Sequence, residues 1–157
     1  QIAILRDRFG EKCMIGAGTA ISVDLAKAAI GAGAQFLLTP GTPIDVLQYC
    51  AKKDIMLLPG VFTPGDVATS LEFGYKTMKL FPAGCAPKGY LKALKGPYDE
   101  ANYIAIGGVT IDNINDYFKE GYMGVGLASN LMPLSVLKDK NWDLGVSYVQ
   151  KYVSRVK

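Results

Sequence analysis

The side chain in this sequence best placed for covalent chemistry is Lys79. It lies in Tyr75-Lys76-Thr77-Met78-Lys79-Leu80-Phe81-Pro82-Ala83-Gly84, which reads as a short strand ending in a Pro/Gly turn. Alternation along the strand turns Met78 and Leu80 to one face and Thr77, Lys79 and Phe81 to the other. No acidic residue stands within six positions of Lys79. An amine held in apolar surroundings without a counter-charge loses stability in its charged form, so its pKa falls and its lone pair becomes available, as a Schiff-base lysine requires. The competing reading is a lysine at a strand end that simply reaches into water. The sequence contains no histidine. Any proton transfer must therefore use a carboxylate, lysine, tyrosine or water.

The chain of 157 residues is 50% hydrophobic and 20% charged, the composition of a globular protein of one domain. No apolar run is long enough for a membrane span and no signal peptide is visible. The net charge of +3 is spread along the chain without a Lys/Arg run, so neither nucleic acid nor a membrane surface is an expected partner. Cys13, Cys50 and Cys85 are odd in number and far apart, with neither disulfide nor zinc spacing. A reducing cytoplasm is the expected location, and no metal site is expected.

The elements that must position Lys79 recur at an even pitch. Ile2, Leu5 and Phe9 form a helical stripe at the start. Strands are expected near Cys13, Gln35, Ile55, Lys76, Asn102 and Tyr122, each ending in small, Gly or Pro residues and each followed by a helix pattern. Two helices open with the same signal, Thr42-Pro43-Ile44-Asp45 and Thr63-Pro64-Gly65-Asp66, 21 residues apart, each predicted to carry a threonine cap, proline at the first helical position and an acid in the first turn. Ser22-Val23-Asp24 and Thr110-Ile111-Asp112 are looser versions, the second predicting a helix from Asp112 to Glu120. A last amphipathic helix carries Val146, Val149, Val153 and Val156, expected with Trp142 and Tyr148 to make core or subunit contacts.

Six strand–helix units at this pitch imply parallel strands joined by right-handed crossovers. No G-x-G-x-x-G follows the first strand, which disfavours a dinucleotide fold. An open flavodoxin-like sheet would need only five strands. The preferred reading is α/β: a (β/α)8 TIM barrel of which this sequence carries six units, the first two lying outside it. On that reading residues 1–157 are a single (β/α) barrel domain, N-terminally incomplete. Barrel phosphate sites often use the loops after the last two strands. Those loops are Ile106-Gly107-Gly108-Val109-Thr110 and Gly126-Leu127-Ala128-Ser129, small or glycine-rich, the first expected to lead into a helix N-terminus that would favour an anion.

Seven short motifs then occur in order: Gly16-Ala17-Gly18-Thr19, Thr39-Pro40-Gly41, Pro59-Gly60-Val61, Lys79-Leu80-Phe81-Pro82-Ala83, Lys92-Ala93-Leu94-Lys95-Gly96-Pro97, Gly107-Gly108-Val109, and Ser129 with Leu131-Met132-Pro133. In this the chain resembles the bacterial 2-keto-3-deoxy-6-phosphogluconate / 4-hydroxy-2-oxoglutarate (KDPG/KHG) aldolases from Cys13 to about Pro133. The resemblance implies a class I aldolase with a small-molecule keto-acid substrate, no metal or organic cofactor, and a homotrimeric assembly. It implies that Lys79 forms the Schiff base, that Thr19 contacts the pyruvate carboxylate, that Pro40 lines the site, that Phe81 packs against the keto acid, and that Gly107, Gly108 and Ser129 hold phosphate.

Two positions depart from the family pattern. Ile106 stands where many members carry threonine before the glycine pair, and Gly84 where some carry glutamate. The family's general base, a glutamate on the second strand beside an arginine, falls outside this sequence, which opens inside what reads as the following helix. Two alternatives stay open at this point. One is another phosphate-binding barrel isomerase or decarboxylase using Lys79 as a charge; the other is a non-catalytic binder of a sugar-acid phosphate.

Overall fold

The structure is a computed structural model and describes residues 1–156. Helix α1 (Ile2–Phe9) leads to strand β1 (Gly16–Ala17) and α2 (Val23–Gly31), then β2 (Phe36–Leu38) and α3 (Ile44–Lys52). Strands β3 (Leu57–Leu58) and β4 (Gly60–Val61) precede α4 (Pro64–Glu72), and β5 (Thr77–Leu80) runs into a 3-10 turn (Ala83–Cys85) and α5 (Tyr90–Lys95). The chain ends with β6 (Asn102–Ile106), α6 (Ile114–Glu120), β7 (Gly124–Gly126), α7 (Leu134–Lys138) and α8 (Trp142–Val156).

All the strand pairs are parallel, in the orders β1-β2-β3 and β4-β5-β6-β7. The two sheets meet in one arm, because β3 and β4 are separated only by Pro59. Proline has no N–H to give to a ladder. Its carbonyl still accepts from the Lys79 amide at 2.8 Å, and the buried Thr39 hydroxyl accepts from the Gly60 amide at 3.0 Å. The predicted α/β array of six strand arms is thus present, with β1 and β7 each paired on one side only among the described residues.

Hydrophobic burial between strands and helices holds the arms in place. Met78, Leu80, Tyr103 and Ala105 leave the array on its outer face and pack with Leu91, Leu94, Ile114 and Tyr122. Leu37, Val46, Leu47, Cys50 and Leu57 form a second cluster around β2 and α3. Because Met78 and Leu80 point outward, the pleat sends Lys79 inward, as the alternation predicted.

Several local expectations shift. The first strand forms at Gly16–Ala17, after the Cys13-Met14-Ile15 run. Thr42 does not cap α3, whose N-cap is Pro43 with no side-chain bond; the Thr42 hydroxyl instead donates to Asp66 at 3.1 Å. Helix α6 begins at Ile114 rather than Asp112, since residues 111–113 form a turn in which the Asn113 side chain takes the Thr110 amide at 2.8 Å. The valine stripe of α8 is not core: Val146, Val153 and Val156 are exposed, and the helix buries Gly145 and Tyr152 instead.

Candidate active site

The seven residues singled out from the sequence all stand at the C-terminal ends of the parallel strands or in the loops that follow. That end is where sites form in such folds. Lys79 lies near the top of β5, 9% exposed. Among the described residues it has no ion-pair or hydrogen-bond partner for its amine. Burial without a counter-charge holds its pKa below the usual lysine value. Its Nζ sits 4.2 Å from the centre of the Phe81 ring, two residues along on the same face. The ring covers one side of the amine.

The neighbouring arms pack closely beside this amine. Gly60 and Ile104 flank Lys79 in register. A Cβ on Gly60 would fall 2.4 Å from the Pro40 carbonyl carbon, so only glycine allows the Thr39-Pro40 backbone to cross so close. Thr39, fully buried, fixes that crossing by donating to the Gly41 carbonyl at 2.6 Å while accepting from Gly60. Pro40 thereby lies one strand from Lys79. Thr19 follows β1 and is exposed, with φ at +61°. A β-branched residue in this region is strained by about 1–3 kcal/mol, a cost found where the backbone serves a site.

Beyond the amine lie the two small-residue loops. Gly107 and Gly108 take φ of +89° and +85° in succession. Their amides make no hydrogen bond among the described residues. The turn is held from outside, where the Asn113 side chain donates to the Gly108 carbonyl at 3.0 Å. The loop carrying Ser129 is tied to it by Asn130, whose side chain donates to the Val109 carbonyl at 3.1 Å, while the Tyr152 hydroxyl donates to the Asn130 carbonyl at 2.7 Å. Ser129 itself is exposed. The expected helix N-terminus does not contribute here, because α6 starts six residues past Gly108. The unbonded amides of Gly107 and Gly108 are the backbone donors that an anion at this turn would meet.

Thr39, Asn113, Asn130 and Tyr152 were not singled out from the sequence. Thr39, Asn130 and Tyr152 act through bonds to backbone groups 21 or 22 residues away, which no local pattern marks, whereas Asn113 closes its own turn three to five residues back, a local signal that could have found it. A cleft of about 640 Å3 lies elsewhere, between the 3-10 turn and α6, lined by Lys88, Asn113, Asp116 and Tyr117 among others. It contains neither Lys79 nor any of the other six residues, so the strand ends, not the cleft, define the site.

The model of the KDPG and KHG aldolase family matches residues 1–147. The 2-dehydro-3-deoxy-6-phosphogalactonate aldolase of Escherichia coli is 30% identical over 154 residues, 97% of this chain and 75% of that protein. The 2-dehydro-3-deoxy-phosphogluconate aldolase of Pseudomonas aeruginosa is 34% identical over 130 residues, and the match spans only 59% of its length. The KDPG aldolase of Legionella pneumophila, solved with pyruvate captured as a covalent carbinolamine, superimposes with a TM-score of 0.86 at 30% identity over 94% of this chain and 72% of that one. A buried, unpaired lysine at the mouth of a parallel α/β array, the seven motifs in order, and these matches lead to one conclusion: the chain belongs to the KDPG/KHG aldolase family.

Proposed function

We propose that this chain carries the Schiff-base centre of a class I aldolase, a carbon–carbon lyase. Its substrates are 2-keto-3-deoxy-6-phosphogluconate, split to pyruvate and glyceraldehyde 3-phosphate, and/or 4-hydroxy-2-oxoglutarate, split to pyruvate and glyoxylate. The observation that carries this reading is Lys79, buried, without a counter-charge and backed by Phe81 at 4.2 Å. Its neutral amine adds to the C2 carbonyl, and loss of water gives an iminium. The iminium withdraws the electron pair of the C3–C4 bond as the C4 hydroxyl gives up its proton, which releases the aldehyde and leaves an enamine. Protonation at C3 and addition of water then return pyruvate and the free lysine.

Thr19 holds the carboxylate, Pro40 and Phe81 flank the keto acid, and the Gly107, Gly108 and Ser129 region takes the phosphate. Ile106, in place of a hydroxyl-bearing residue, leaves the choice between long phosphorylated and short substrates to the loop amides. The proton from the C4 hydroxyl goes to the family's glutamate, on a strand outside this sequence. The same likeness supports a single barrel domain over residues 1–157 completed by two further units, a homotrimer, and a cytoplasmic location. No helix among the described residues is long and apolar enough to cross a membrane.

Borohydride reduction in the presence of pyruvate tests the reading. The full-length protein should gain one covalent adduct on Lys79, and Lys79→Met should gain none. Labelling of a different lysine would remove the proposal. Turnover that survives borohydride treatment with substrate would favour an isomerase or decarboxylase instead.

A further inference from the structure

The loop that follows the lysine strand and the glycine turn after β6 touch through their backbones. The Gly84 amide donates to the Gly107 carbonyl at 2.8 Å. A Cβ on Gly84 would stand 3.0 Å from the Gly108 Cα and 3.3 Å from the Gly107 oxygen; one on Gly108 would stand 2.8 Å from the Gly84 Cα. On its other side Gly107 meets the Phe81 ring, which a Cβ would reach at 3.1 Å. Phe81 in turn underlies the Lys79 amine. The Gly107 peptide is therefore clamped between Gly84 and Phe81, and Asn113 closes the clamp from outside through the Gly108 carbonyl. No flexible side chain lies between Gly84 and Gly108, so an added atom has to be absorbed by the backbone.

We propose that Gly84 is a positioning residue for the far end of the substrate. By lacking a side chain it sets the distance between the Lys79 amine and the free amides of Gly107 and Gly108, and so favours a substrate whose keto carbon and anionic end match that spacing. This rests on the aldolase reading above. Gly84 has no positive φ to preserve, so its role is one of space rather than conformation.

Gly84→Ala in the full-length protein is the test. A shift of a few tenths of an ångström in the turn should raise KM for the phosphorylated keto acid about tenfold, with kcat within about twofold. KM for unphosphorylated 4-hydroxy-2-oxoglutarate and the rate of pyruvate trapping by borohydride should stay as in the parent. Equal changes on both substrates, or none, would overturn the role. Should Gly84→Ala fail to fold, Asn113→Ala loosens the same turn from the surface and should give the same selective rise, about threefold; an unchanged KM ratio there overturns it equally. Absence of any lysine adduct in the parent protein defeats the aldolase reading. Inorganic phosphate binding, followed by the Gly107 and Gly108 amide signals, still reads the clamp. Gly84→Ala should weaken that binding, and unchanged binding refutes the proposal.

Discussion

Lys76 and Lys79 stand three residues apart at the two ends of one strand, in opposite electrostatic settings. Lys76 lies just before β5 in water, its amine 2.8 Å from Glu100, and that carboxylate raises its pKa. Lys79 lies in the array with no carboxylate partner among the described residues and a lowered pKa. The odd spacing puts them on opposite faces, and the lower end of the strand meets solvent while the upper end meets neighbouring arms. One residue type thus yields a paired charge at the surface and a desolvated amine without a counter-charge. The difference comes from desolvation and from the presence or absence of one carboxylate.

The contrast breaks most completely at Lys79→Met. Steady-state assay should show cleavage down by roughly three orders of magnitude or more, because the covalent electron sink is gone. The same variant should be more stable near neutral pH. In the parent the folded state binds its Lys79 proton less tightly than the unfolded chain, so below the lowered pKa folding carries the cost of a buried charge. That cost fades as pH rises through the lowered pKa towards about 10.4, the unfolded value. Denaturation curves across this window should therefore show the variant's advantage shrinking as pH rises.

Giving Lys79 the partner that Lys76 has is the next largest effect. Ile104 is its register neighbour on β6. In Ile104→Glu the carboxylate should lift the lysine pKa, and pyruvate trapping at neutral pH should slow about tenfold for each unit gained. A trapping rate equal to the parent's would show that the missing counter-charge is not what prepares the amine.

A smaller effect belongs to Asp66, the carboxylate that the fold does satisfy. Burial acts to raise its pKa, but hydrogen bonds from Thr63, Phe62 and Thr42 outweigh this and lower it. Asp66→Asn should cost about 1–2 kcal/mol in urea unfolding at neutral pH. The parent should lose that advantage as pH falls through the lowered Asp66 pKa, so the two proteins converge in acid. Lys76→Met should leave trapping, cleavage and melting temperature unchanged at moderate salt, since an exposed pair contributes little. A loss of activity there would mean that the two ends of the strand are coupled.

The two Thr-Pro-x-Asp segments show how far local pattern reaches. At Thr63 the capping box forms, with Thr63 accepting from the Asp66 amide and Asp66 accepting in return. At Thr42 the same letters give no cap, because the hydroxyl finds Asp66 across the gap between arms. A cap is worth about 1 kcal/mol, little enough for one tertiary hydrogen bond to redirect. The same limit applies at α8, where the valine spacing marked an amphipathic helix without saying that its stripe would face outward in this chain.

Strand pitch, the inward turn of Lys79 and the order of the loops were legible in the residues alone, since they follow from side-chain alternation and from where Gly and Pro must interrupt an element. Contacts between arms were not. The Gly84–Gly108 approach, the Gly60–Pro40 crossing and the Asn130 tie depend on distances between backbone groups far apart in the chain. Such distances exist only once the strands are laid side by side.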